Sequence, residues 1–239
     1  VLENGEYKQT TLVDEAEGLK VVRYGREIRL TFEAIVNDDL GAFEQIPSRF
    51  ANAASQKEAA TVWGIIRSNA VMKSDSKALF HADHKNLASG GGNVGAPSID
   101  LVGKAYAAML QQRAVGETAV EEFIGIQPNL LIVPPVLHTV AAQFVTTTTP
   151  AEDGKTNPYK FLDPITEPLL GAAAGGSDTA WYLVDENEPP VEHAYLEGYE
   201  QPTIVADEGM SPDVVTMTAR HIFGAAPAEF RGAWKNPGA

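Results

Sequence analysis

Two histidines and an aspartate stand within four residues at His81-Ala82-Asp83-His84. Imidazole and carboxylate together are the donor set of half a metal centre. A soluble metal-dependent hydrolase would use His81, Asp83 and His84 in that way. The other histidines, His138, His193 and His221, are isolated, each beside apolar residues. No further ligand stands at metal-binding spacing, so His81 and His84 are expected to hold their loop by hydrogen bonds and to bind no metal. Gly90, Gly92 and Gly95 match the dinucleotide pattern GxGxxG. That mechanism needs a buried strand ahead of the glycines, and His84-Lys85-Asn86-Leu87-Ala88-Ser89 is not one. Ser74 and Lys77 have SxxK spacing without the partner motifs SDN and KTG. Gly154-Lys155-Thr156 resembles the end of a phosphate loop, but Thr149 stands where its first glycine is required. There is no GxSxG. With 32 Asp and Glu in the chain, a chance carboxylate pair carries no information. No nucleophile, base and oxyanion donor can be assembled into one set. The expectation is a chain with no catalytic, cofactor-binding or metal-binding residues.

The bulk properties narrow the classes further. A chain of 239 residues can bury a core of its own, as one large domain or two lobes. The absence of cysteine excludes disulfides and thiolate chemistry and favours folding in a cytoplasm. A net charge of −14 repels phosphate backbones, so specific nucleic-acid binding is disfavoured. No apolar run approaches the roughly 20 residues needed to span a bilayer, and no membrane association is expected.

The elements follow from periodicity. Residues 6–13 and 20–36 read as strands of a long hairpin turning at Asp14-Glu15-Ala16-Glu17-Gly18. In the second strand Ile28, Leu30, Phe32 and Ala34 fall on one face, and Arg29, Thr31 and Glu33 on the other. From Leu40 to Asn69, Phe43, Ile46, Phe50, Ala54, Val62, Ile65 and Ile66 recur near helical spacing. Pro47 predicts a kink, or a restart with a long helix over 48–69. Residues 73–97 read as a glycine-rich loop. Ser98 is a helix N-cap for 99–113. Residues 130–133 read as a buried strand and 136–145 as a helix opened by Pro135. Strands are predicted at 159–162, 179–185, 191–196, 203–207, 213–222 and 228–234. Trp181 and Trp234 sit in apolar strand patterns and read as core or interface anchors. The mixture predicts an α+β protein.

Four segments carry a family resemblance. Ala78-Leu79-Phe80-His81-Ala82-Asp83-His84-Lys85-Asn86-Leu87 resembles a head-subunit segment of Mu-like phages. Residues 129–137, ending Val133-Pro134-Pro135-Val136-Leu137, are similar to the LLVPPxLE segment of tailed-phage capsid proteins, with His138 where glutamate is common. Thr179-Ala180-Trp181-Tyr182-Leu183 resembles their WYL strand. Arg220-His221-Ile222-Phe223-Gly224 through Phe230-Arg231-Gly232-Ala233-Trp234-Lys235-Asn236 resembles their closing strands. The segments occur in the family's order over most of the chain.

The resemblance implies the Hong-Kong-97-type capsid fold, with a projecting β-hairpin (the E-loop), a long spine helix, a peripheral lobe and an axial lobe. It implies an N-terminal arm and hairpin over 1–39, spine helix and peripheral loop over 40–97, a mainly axial 98–207, and closing strands over 208–239. It implies a structural subunit that assembles with itself, as hexamers and pentamers, into an icosahedral phage head. The head would be built in the host cytoplasm, would become the virion shell, and would enclose DNA without specific binding. Scaffold, protease, portal and decoration proteins are the further partners the family suggests. An encapsulin-like compartment of the same fold is the alternative. Some relatives join a lysine to an asparagine; Lys8 and Asn236 are of those types, but nothing marks a catalytic carboxylate beside them. The hairpin tip carries Asp14, Glu15 and Glu17, and its second strand Lys20, Arg23, Arg26 and Arg29. Its apolar face, Ile28, Leu30 and Phe32, cannot be buried by a lone hairpin. The family lays this loop over a neighbour's helix, so Arg49, Lys57 and Arg67 are the expected partners of the acidic tip.

Overall fold

The computed structural model describes residues 18–31, 33, 37, 45–114, 123–146, 156–210 and 213–238. In chain order the elements are β1 (Val22–Thr31), α1 (Ile46–Ser68), α2 (Ile99–Leu110), β2 (Leu130–Val133), α3 (His138–Thr146) and β3 (Asp163–Thr166). They continue with β4 (Trp181–Val184), β5 (Val191–Tyr195), β6 (Thr203–Met210), β7 (Asp213–Pro227) and β8 (Ala233–Asn236). The strands form two sheets. In the first, β7 holds β1 on one edge and β5 and β6 on the other; the second runs β3-β2-β4-β8.

The second sheet explains why its two central strands, β2 and β4, are apolar at every position. Both faces are covered, so alternation gives way to continuous apolar runs. Trp181 and Leu183 of β4, with Leu131 and Val133 of β2, pack on one side with Val102 and Met109 of α2 and Ala141 of α3. Tyr182 and Val184, with Ile132, pack on the other with Ile66, Leu79 and Phe80. The pair β2–β3 is parallel, its crossover carried by α3; the remaining pairs in this sheet are antiparallel.

Helix α1 connects the two sheets. Pro47 stands in its first turn, where the missing N–H costs no hydrogen bond, so the restart rather than the kink is realised. Ile46 and Phe50 at its start pack on Leu30 and Ala219 of the first sheet. Ile66 near its end packs into the second sheet, with Trp63 half-buried beside it. The helix stops at Asn69, whose φ of 52° is left-handed; its backbone N–H bonds the Ile66 carbonyl. Asparagine tolerates that conformation better than most residues. Helix α2 starts as expected, with Ser98 Oγ accepting from the Leu101 N–H at 3.3 Å.

Several expectations need correction. The predicted strand 159–162 is a turn: Asn157 Oδ1 takes the Tyr159 N–H at 2.9 Å and draws the chain round, so the strand begins only at Asp163. The strand predicted over 228–234 is Ala233–Asn236; upstream, Glu229 Oε1 accepts from both the backbone and the side chain of Arg231 and holds a local turn. Helix 99–113 ends at Leu110. The second hairpin strand exists as β1, but its partner among the described residues is β7, in register from Val22↔Phe223 to Thr31↔Val214. Residues 6–13, Phe32 and Ala34 lie outside the described residues. Residues 18–20, just ahead of β1, lie against their own chain. Lys73 Nζ donates to the Gly18 carbonyl, and the backbone at Lys20 passes so close to Gly224 that a side chain there would collide with it.

Candidate functional site

The loop after α1 holds the residues that could have done chemistry, and its geometry is that of a clamp. Asn69 Oδ1 accepts from the Phe80 N–H at 2.7 Å, and its Nδ2 donates to the Phe80 carbonyl at 3.0 Å. Asn86 is fully buried; its Oδ1 takes the His81 N–H at 2.9 Å while Nδ2 donates to the carbonyls of Leu79 and Phe230. His84 is buried, stacked on the Phe230 ring at 4.0 Å, with Nε2 2.7 Å from Asp75 Oδ2. Burial pushes the Asp75 carboxyl up, but the His84 hydrogen bond, the Lys77 N–H and the neighbouring positive charges outweigh it. The carboxyl therefore sits below its ordinary range. His81 Nδ1 accepts from the Asp83 N–H at 3.1 Å, and Asp83 pairs with Lys77 at 2.8 Å. The polar atoms named here are turned to the loop's own backbone, to a neighbour in it or, from Asn86 Nδ2, to the Phe230 carbonyl. Among the described residues no group of three His, Cys, Asp or Glu is placed to hold a metal.

Gly90, Gly92 and Gly95 all have positive φ, and the loop they form closes on the second sheet. Gly95 donates its N–H to Asn236 Oδ1 at 3.2 Å and accepts from Trp181 Nε1 at 2.7 Å. Asn236 is fully buried, with Nδ2 on the Asn93 carbonyl at 3.0 Å. Trp181 and Trp234 are both buried, with ring centroids 5.5 Å apart.

The expected docking residues fall into two described groups, with Asp14, Glu15 and Glu17 outside the described residues. Arg23, Arg26 and Arg29 are exposed along β1. Arg29 pairs with Glu27 of its own strand at 2.6 Å. Arg49 and Lys57 are exposed on α1; Lys57 Nζ lies 4.9 Å from the centre of the Tyr24 ring, so helix and strand meet there through a cation–π contact. Arg67 sits at the other end of α1, where it donates to the Leu169 carbonyl at 3.2 Å inside its own chain. Between β1 and the first half of α1 runs a groove. One part, about 430 Å³, is lined by Tyr24, Arg26, Phe50, Lys57 and Arg220. The adjoining part, about 570 Å³, is lined by Ile28, Leu30, Ile46 and Arg49. The structure thus brings three of the expected cations, Arg26, Arg49 and Lys57, to one groove; Arg23 and Arg29 are exposed on β1 and do not line it.

Three features escaped the sequence reading. Arg220 joins this basic surface from β7, through a strand pairing no local pattern announces. Glu58 of α1 bonds Nε2 of buried His221, tying helix to sheet. Lys235 lies opposite Tyr182 across β8 and β4, its Nζ over the Phe80 and Tyr182 rings at 5.8 and 5.7 Å. Burial lowers the Lys235 ammonium from its ordinary range and raises the Tyr182 phenol to about 12.

A family model described as phage capsid protein matches residues 14–236. The chain is similar in structure to one from Mycobacterium phage Patience, with TM-score 0.58, 11% identity, and 97% of this chain and 76% of that chain covered. It is similar to a chain of the cyanophage Pam1 capsid asymmetric unit, with TM-score 0.52, 13% identity, and 100% and 83% covered. It is also similar to the SrpI encapsulin of Synechococcus elongatus, with TM-score 0.53, 9% identity, and 91% and 72% covered. No match was found among curated proteins.

Proposed function

The chain belongs to the phage capsid protein family and has the Hong-Kong-97-type fold, and from that premise we propose how it builds a shell. The observation that carries the function is the family match over residues 14–236, on a fold whose long helix spans two sheets. As a shell-forming structural subunit, the protein works through its surfaces. The first sheet with α1 serves as the peripheral lobe, and the second sheet with α2 and α3 as the axial lobe. Copies meet as hexamers and pentamers of a closed icosahedral head, because symmetry lets one chain supply every contact. The head is built in the host cytoplasm and encloses DNA without base-specific binding. Scaffold, protease, portal and decoration proteins act on it from outside the subunit. No catalytic step is required of this chain.

The acidic tip Asp14, Glu15 and Glu17 docks on a neighbouring copy's basic groove, with Arg49 and Lys57 as the helix contacts and Arg26 beside them; Arg67, at the far end of α1 and bonded to Leu169 within its own chain, falls outside this surface. Charge complementarity supports this reading. The groove presents cations on a chain whose net charge is −14.

Negative-stain micrographs of the purified protein test the assembly. Closed particles of uniform size are expected, and a monomer under every condition, scaffold included, would overturn it. The likeness to an encapsulin keeps a cellular compartment as the second reading, since the two share a fold. Nucleic acid recovered from intact particles favours the genome container; nuclease-resistant particles filled with protein favour the compartment.

A further inference from the structure

We propose that the turn at 196–201 is a docking element between copies, seating Leu196 and Tyr199 in the groove of a second copy with Glu197 facing Arg220 there. The turn follows β5, and every residue in it is exposed. Leu196 and Tyr199 are each 44% exposed. Scattered apolar residues on a surface are ordinary, but here two large ones share one turn and are flanked by Glu197 and Glu200, an apolar patch with acidic neighbours. The turn is also preformed. The Tyr199 N–H bonds the Leu196 carbonyl at 2.8 Å, Gly198 takes a φ of 78°, and the Gly198 N–H bonds Glu200 Oε1 at 2.9 Å. The Leu196 N–H reaches the Ile222 carbonyl of β7 at 3.4 Å. A shape fixed before contact loses little conformational entropy on docking.

The receiving surface has the opposite character. The part of the groove near Arg220, about 430 Å³, is lined by Tyr24, Phe50 and Phe223 together with the cations Arg26, Lys57 and Arg220. Arg220 is exposed and makes no ion pair among the described residues; its cross-strand neighbours, Gly25 of β1 and Thr203 of β6, are uncharged. Glu197 likewise makes no ion pair among the described residues. In a chain of net charge −14, an uncompensated cation beside an apolar floor selects an occupant that is acidic and apolar at once. A nucleic-acid base fits less well. Phe50 and Phe223 are buried, and Tyr24 already meets the Phe223 ring at 4.9 Å and Lys57 Nζ at 4.9 Å, so these rings leave no free face for stacking.

Turn and cavity are neighbours on one surface, because Pro202, the residue just after the turn, lines the cavity. A two-fold axis beside them brings each copy's turn onto the other's cavity, a reciprocal contact that closes on itself. This goes beyond the docking of the acidic tip, which makes no use of Arg220.

A chain without cysteine suits a disulfide test. Glu197→Cys and Arg220→Cys are made in separate full-length chains and co-expressed, so a disulfide joining the two positions forms only between copies. Two cysteines bridge only when their Cα atoms come within about 7 Å. After mild oxidation the linked peptides are read by mass spectrometry. The mixed 197–220 peptide should exceed the 197–197 and 220–220 peptides about tenfold, because docking raises the effective concentration of that pair alone. Statistical proportions among the three overturn the proposal. So does capture of Arg220→Cys by Asp14→Cys and not by Glu197→Cys, which would give this end of the groove to the acidic tip. Charge exchange in cysteine-free chains gives a second readout. Glu197→Arg and Arg220→Glu should each lower the salt resistance of the assembled protein, and the double variant should recover it, since opposite charges then face each other again. A double variant no better than either single one, with all three folded by thermal midpoint, overturns the contact. Particles that form normally without the 197–220 link remove the turn and leave the shell reading in place.

Discussion

Single buried side chains carry much of this fold. Trp181 fills the layer between β4 and the helices α2 and α3, touches Trp234, and donates its indole N–H to Gly95. Trp181→Ala removes that volume and leaves the Gly95 carbonyl without its donor. Urea denaturation of unassembled subunits should show a loss of roughly 3–5 kcal/mol, and an unchanged midpoint would refute the anchoring role. Asp75 supplies a pH prediction. Its folded carboxyl lies below the ordinary range, so the stability it contributes is present above the usual carboxylate range and fades as pH falls through its folded value. Thermal midpoints recorded in acid should fall less steeply in Asp75→Asn than in the wild type. Asn236, buried and bonded to Asn93, Gly95 and Gly238, offers no free amide to Lys8, so a covalent link at that pair would require the closing strand to open.

At the scale of elements, α1 is decisive because it packs on both sheets. Its end is set by Asn69, which combines a left-handed backbone with two hydrogen bonds to Phe80. Asn69→Ala should destabilise by about 2 kcal/mol, from the strained φ and the lost bonds together. Asn69→Gly removes the strain but not the lost bonds, and should recover part of that loss. Equal midpoints for the two variants would show that backbone conformation contributes nothing there. The hairpin strand β1 behaves differently from a free projection. Leu30 is buried against Ile46 and Phe50 of its own chain, while Ile28 stays exposed beside the groove. Part of the apolar face expected to seek a neighbour is thus covered internally.

For the whole molecule, the question is what holds many copies together without disulfides. An exposed ion pair contributes about 0–1 kcal/mol, but a shell repeats each contact in every subunit. Reversing the tip with Asp14→Lys, Glu15→Lys and Glu17→Lys should leave the monomer folded and reduce particle yield and resistance to salt. Normal particles at normal yield from that variant would remove the tip from the docking scheme while leaving the capsid family and fold untouched.

Local patterning made a large part of this legible. Helical spacing from Ile46 to Ile66, the cap at Ser98, the strand at 130–133 and the ordered family segments all depend on residues near one another in the chain. Their periodicity is imposed by backbone geometry before any tertiary contact forms. The clamp role of His81 and His84 could be anticipated because missing ligands are visible in a sequence, whereas the stacking of His84 on Phe230 could not. Long-range register was hidden. Nothing near Val22 announces that it pairs with Phe223, so the placement of β1 at the edge of a four-stranded sheet, the arrival of Arg220 on the basic surface and the tie between Glu58 and His221 were settled only by packing. A strand's pattern states which face is apolar, but which neighbour covers that face is decided by burial across the whole chain.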